Sequence, residues 1–123
     1  MKNLAQIRAA DALSFAQSSS VKRGKDGGEA IKKIPPMIAS NGILSAIAFS
    51  VEKKRDDLQR PGYFEIFSAI ANHLASEDIS IVSCDGDADA LLNFLIEADS
   101  QTLKLVTAEA MEWLSYARRF VNE

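Results

Sequence analysis

Apolar residues recur along this chain with helical spacing almost throughout. Residues of about 2–19 hold Ala5, Ala9, Ala12, Leu13 and Ala16, an alanine-rich stripe that permits close helix approach but anchors weakly. Gly24, Gly27 and Gly28 then mark a connector. A second helical stretch over about 29–41 is expected to be disturbed at Pro35-Pro36. Proline biases the preceding Ile34 away from helix. Asn41-Gly42 is a helix stop, with Gly42 suited to the left-handed conformation. The next helix, about 43–54, places Ile43, Ile47 and Val51 on one face with Leu44 and Ala48 beside them. Asp56 to Arg60 reads as a loop, and Pro61 suits the first turn of a new helix. There Phe64, Phe67, Ala71 and Leu74 share a face. Residues of about 76–87 form a connector, where Ile79, Ile81 and Val82 have no second strand to pair with. Asp87 caps a helix over about 88–98, whose apolar face is Leu91, Leu92, Leu95 and Ile96. Asp99 or Ser100 caps the last helix, about 101–121. Its Leu103, Val106, Ala110, Trp113, Ala117 and Phe120 have the spacing of a core face. No internal repeat, low-complexity segment or domain linker interrupts the pattern. The expected fold class is all-α: a compact bundle of about five or six helices in a single domain spanning residues 1–123.

Composition adds little to this. A chain of 123 residues with 47% hydrophobic content fits one domain with a real core. Cys84 is the only cysteine, so no internal disulfide forms, which suits a reducing compartment. Residues 34–51 carry no charge and reach the ~18 residues that raise the question of a membrane span. Pro35-Pro36, Asn41-Gly42 and three serines break that run, so it reads as the most buried part of a soluble protein. Gln6, Arg8 and Asp11 leave no signal-peptide core near the N-terminus. The expected location is the cytoplasm.

Candidate chemistry is sparse. Asp85, Asp87 and Asp89 alternate as in a calcium loop, but Ala90 and Ile96 stand where an EF-hand needs Gly and Glu. The run reads as an acidic helix start. His73 is the only histidine and sits in an aromatic-rich helix, as a structural, partly buried residue would. Cys84 has neither a nearby base nor a metal-ligand partner in sequence. Gly24, Gly27 and Gly28 lack the strand and spacing of a phosphate loop. Glu109 and Glu112 read as a solvated helix face. No constellation points to catalysis, a metal site, a cofactor or a small-molecule substrate.

Charge changes the picture more. The net charge is −3. Residues 1–60 sum to +5 and residues 61–123 to −8, an asymmetry that hints at a polyanion-facing side. Lys53, Lys54 and Arg55 are balanced by Glu52, Asp56 and Asp57. Lys22, Arg23, Lys25, Lys32 and Lys33 outweigh Asp26 and Glu29, leaving +3 over residues 22–33. That segment is the better phosphate-facing candidate, with Lys53 and Lys54 as a second one. Phe64, Phe67, Trp113 and Phe120 belong to core faces, which argues against reading bases by stacking.

Two blocks carry a family resemblance. The first is Ala30-Ile31-Lys32-Lys33-Ile34-Pro35-Pro36-Met37-Ile38-Ala39-Ser40-Asn41-Gly42-Ile43-Leu44-Ser45-Ala46-Ile47-Ala48-Phe49: basic pair, proline, apolar run, Asn-Gly, apolar helix. The second is Ala98-Asp99-Ser100 followed by Thr107-Ala108-Glu109-Ala110-Met111-Glu112-Trp113-Leu114 and Arg119-Phe120. Gln6, Arg8, Ala9 and Ala10 fit as well. The chain resembles the small all-helical subunit of the type III-B CRISPR effector, the Cmr RNA-silencing complex. It departs from that family at Leu103, where a tyrosine is common, and at Gly27-Gly28-Glu29, where a Lys- and Tyr-rich segment is common. The resemblance implies a non-catalytic subunit that lines the guide–target RNA channel and supports target capture in antiviral defence. Its implied partners are copies of itself, the repeated backbone subunits, the large polymerase-like subunit and the RNA duplex, met through phosphates. A helical protein–protein adaptor without RNA contact is the alternative. An enzyme built on His73 or Cys84 is the least supported reading.

Overall fold

The structure is a computed structural model that describes residues 3–18, 28–56, 62–77, 79–83 and 86–120. Six helices follow one another: α1 (Leu4–Ser18), α2 (Gly28–Asn41), α3 (Ile43–Asp56), α4 (Gly62–Ala75), α5 (Ala88–Ile96) and α6 (Ser100–Phe120). Among the described residues there is no strand, so the fold is all-α as the spacing predicts. No described helix is long and apolar enough to cross a membrane.

Helix α4 is the hub. It touches each of the other five helices. Tyr63, Phe64, Ile66, Phe67, Ile70, Ala71, His73 and Leu74 are all buried on it. The two faces of α4 that lie beside Phe64, Phe67, Ala71 and Leu74 are therefore inside as well. This corrects one expectation. The uncharged stretch 34–51 is not the most buried part, because Pro36, Ala39, Ser45 and Ala48 face solvent while Ile34, Ile38, Ile43, Ala46 and Ile47 face the core. Small residues on the outer side make that stretch uncharged without making it internal.

The helix ends follow local chemistry. Asp87 caps α5 by accepting from the Ala90 N–H at 3.3 Å. Asp99, rather than Ser100, caps α6 by accepting from the Thr102 N–H at 2.8 Å. That bond holds the Asp99 carboxyl below its ordinary pKa. Between α2 and α3 the joint is a single residue. Gly42 has φ +88°, donates to the Ile38 carbonyl at 2.9 Å and accepts from the Ala46 N–H at 3.2 Å. The one glycine thus closes one helix and opens the next.

Helix α2 runs through Pro35 and Pro36 without a break. The expected disturbance is confined to two missing N–H donors. Ile31 and Ile34 on one side of the prolines and Ile38 on the other are buried, and that packing outweighs the local bias. The 79–83 segment is irregular. The Ile81 and Val82 N–H groups both bond to the Leu74 carbonyl, at 2.9 and 3.4 Å, and Val82 is buried. The end of α4 thus satisfies these backbone groups, as no strand partner does.

Candidate functional site

Two sets of side chains are candidates for a functional site. The first is a charged cluster where α1, α4 and α6 meet. His73 on α4 is almost fully buried, and both of its ring nitrogens face carboxylates. Nδ1 lies 2.7 Å from Asp11 Oδ2 on α1, and Nε2 lies 2.9 Å from Glu109 Oε2 on α6. Arg8 completes the cluster. Its Nε donates to Glu109 Oε2 at 2.8 Å and its Nη2 to Oε1 at 2.7 Å, a two-pronged pair. Glu112 stands outside, 3.9 Å from Arg8 Nη1 and 57% exposed.

The geometry reads as a clamp. Each ring nitrogen of His73 is engaged by one carboxylate, one from α1 and one from α6. Burial pushes the Glu109 carboxyl up, but the hydrogen bonds from Arg8 and His73 outweigh it and hold its pKa below the ordinary value. Donating to Glu109 in turn raises the Arg8 guanidinium above its ordinary value.

A cleft of about 320 Å³ opens beside the clamp, lined by Asp11, Ser14, Phe15, Asn72, His73 and Trp113 among others. A general base in such a cleft needs one ring nitrogen directed at a substrate. Here both are directed at protein carboxylates. The ring of Phe15 lies 5.4 Å from that of Trp113, whose indole N–H has no acceptor among the described residues.

The clamp was only partly legible. Its histidine is almost fully rather than partly buried. Glu109 corrects the reading of a solvated face: it is 5% exposed, while Glu112 is solvated as expected. Glu109 stands within one turn of Val106, Ala110 and Trp113, so its position on the inner side of α6 was readable from the spacing. Its partners Arg8 and His73, 101 and 36 residues away, were not.

The second set is basic. Lys32 and Lys33 are exposed on α2, while their neighbours Ile31 and Ile34 are fully buried. The core therefore fixes where this pair stands. Lys53 and Lys54 lie near the C-terminal end of α3, with side chains outside the described residues. Lys22, Arg23 and Lys25 fall outside the described residues altogether. Cys84 and Asp85 do too. Among the described residues, no group of three or more His, Cys, Asp or Glu side chains is placed to hold a metal ion.

Comparison with known proteins decides the family. The family model of the CRISPR-associated protein Cas_Cmr5 matches residues 4–123. The chain belongs to the Cas_Cmr5 family. Membership makes it a small subunit of the multi-subunit type III-B Cmr assembly. The fold agrees. A CRISPR-associated Cmr5 family protein from Thermus thermophilus, known from a crystal structure, superposes with a TM-score of 0.73 at 19% identity, covering 99% of this chain and 100% of that one. No curated protein matches the sequence. The two chains thus share one fold at low sequence identity.

Proposed function

We propose that the chain is a non-catalytic Cmr subunit that lines the guide–target RNA channel and supports target RNA capture in antiviral defence. Lys22, Arg23, Lys25, Lys32 and Lys33 meet RNA phosphates, with Lys53 and Lys54 as a second contact. The observation that carries this reading is the pair Lys32 and Lys33. They are exposed on a helix whose opposite side is locked by Ile31, Ile34 and Ile38. Charge held on a rigid element tracks a phosphate backbone without reading bases. The +5 and −8 halves of the sequence support the same orientation, with the acidic half turned from RNA or toward basic protein. Copies of itself, the repeated backbone subunits and the large polymerase-like subunit are the proposed protein partners, in the cytoplasm. The occupied nitrogens of His73 support a role without chemistry of its own.

The test is charge reversal in the assembled complex. Lys32→Glu with Lys33→Glu weakens target RNA capture and makes its salt dependence shallower, by roughly two contacts' worth per copy. Unchanged capture and slope would remove this face from the RNA channel.

A second reading, a protein-only adaptor, has one observation in its favour. A mostly apolar groove runs between the α2–α3 joint and α6, lined by Gly42, Ile43, Leu44, Leu103, Thr107 and Met111 among others. That reading predicts partners retained after RNase treatment and no RNA crosslinks within residues 22–33.

A further inference from the structure

Helix α1 is attached differently from the other five. Its buried apolar side chains are only Ala12 and Ala16, and Phe15 is half-buried. Its two leucines are largely outside, Leu4 at 49% and Leu13 at 42% exposure. The large core side chains, among them Ile31, Ile47, Ile66, Phe67, Leu91 and Leu95, all belong to other helices. Helix α1 packs mainly on α6, with a minor contact to α4. Alanine gives close approach but little apolar area.

What α1 lacks in apolar area it has in charge. Arg8 reaches across to Glu109 with two hydrogen bonds, and Asp11 reaches His73 with one. Groups of this kind regain water when they separate, so their net hold is smaller than their geometry suggests. The rest of the molecule keeps its own core if α1 leaves. Glu109 and His73 remain bonded to each other, so neither is stranded.

We infer that α1 is a detachable cover on α6, latched by Arg8 to Glu109 and by Asp11 to His73, which opens as a unit while α2–α6 stay folded. Opening removes Phe15 from Trp113 and exposes the Trp113 and Glu109 side of α6. The molecule thus carries a second conformation, in which α6 presents an aromatic and a carboxylate that are covered in the first. The charged latch, not the alanine seam, sets the balance between the two. The opening is independent of the RNA-facing role.

Native-state hydrogen exchange on the full chain tests it, with Trp113, the only tryptophan, as a second reporter. In the wild type, α1 amides exchange through an opening that α4 amides do not share. Arg8→Ala speeds α1 exchange by about a hundredfold, the factor set by removing one member of a buried ion pair, and leaves α4 exchange unchanged. Arg8→Lys, which keeps the charge but loses the two-pronged fit, gives a smaller acceleration. Glu112→Gln, on the exposed outer pair, changes nothing measurable. Emission of Trp113 shifts to the red in Arg8→Ala at denaturant concentrations where α4 is still protected. The inference is overturned if α1 and α4 exchange through one common opening in the wild type, or if Arg8→Ala leaves α1 exchange unchanged. Loss of the whole fold in both Arg8→Ala and Arg8→Lys would overturn it equally, since α1 would then not be separable.

Discussion

Glu109 shows how one residue can reverse a reading made from residue type. A glutamate on a C-terminal helix is ordinarily solvated, yet here it accepts from Arg8 and His73 at 2.7 to 2.9 Å in a nearly closed site. Its inward position follows from its place beside Val106, Ala110 and Trp113, but its tolerance there depends on hydrogen-bonding side chains from α1 and α4 that no local pattern announces. Buried charge needs partners, and partners are a property of the fold. Because its folded pKa is held below the ordinary value, Glu109 contributes stability that is present above about pH 4.5 and is lost as pH falls through the depressed value. Glu109→Gln should cost about 3 kcal/mol near neutral pH, since it leaves the Arg8 and His73 donors without their anion. It should also flatten the acid limb of the stability profile. Urea denaturation of both proteins across the acid range measures this. Parallel acid limbs would show that Glu109 titrates alike in the folded and unfolded chains.

Elements were more legible than partners, and their exceptions have local causes. The joint at Gly42 was readable because Asn-Gly after an apolar run is a helix stop, and the observed φ of +88° is the conformation that stop requires. No atom lies within 4 Å of where a Cβ would stand, so space does not demand glycine there; the backbone does. Gly42→Ala should therefore cost about 1–2 kcal/mol through the left-handed conformation alone. Gly42→Asn should cost less, because asparagine tolerates that region. Thermal unfolding of the two variants separates them, and equal losses would point to a steric cause instead. The prolines of α2 teach the opposite lesson. Local rules expected disturbance at Pro35-Pro36, and the helix persists because three buried isoleucines pin the turns around it. In the 79–83 segment the apolar residues suggest a strand, yet the Leu74 carbonyl takes up the N–H groups of Ile81 and Val82. A helix end did what a second strand would have done, and only the fold could bring it there.

For the whole molecule the proposed role raises the question of how a chain of net charge −3 would face a polyanion. The uneven distribution answers it only in part, because the acidic half repels RNA at the same time as the basic half attracts it. Five cations lie within residues 22–33, and each phosphate they neutralise contributes a salt slope of about −0.7 to −0.9. One copy alone therefore has too few contacts to offset the repulsion of residues 61–123. The isolated chain should bind single-stranded or duplex RNA no more tightly than about 10⁻⁴ M at physiological salt, the weak end of non-specific binding. In the proposed assembly the arithmetic changes, since several copies would add their contacts along one RNA and protein neighbours would cover the acidic sides. The slope of the complex should then fall by roughly 1.4 to 1.8 for each copy that carries Lys32→Glu and Lys33→Glu. Anisotropy of labelled RNA across a salt series measures both quantities. Micromolar or tighter binding by the isolated wild-type chain would show that contacts beyond the 22–33 segment dominate, and the assignment of the basic face would have to move.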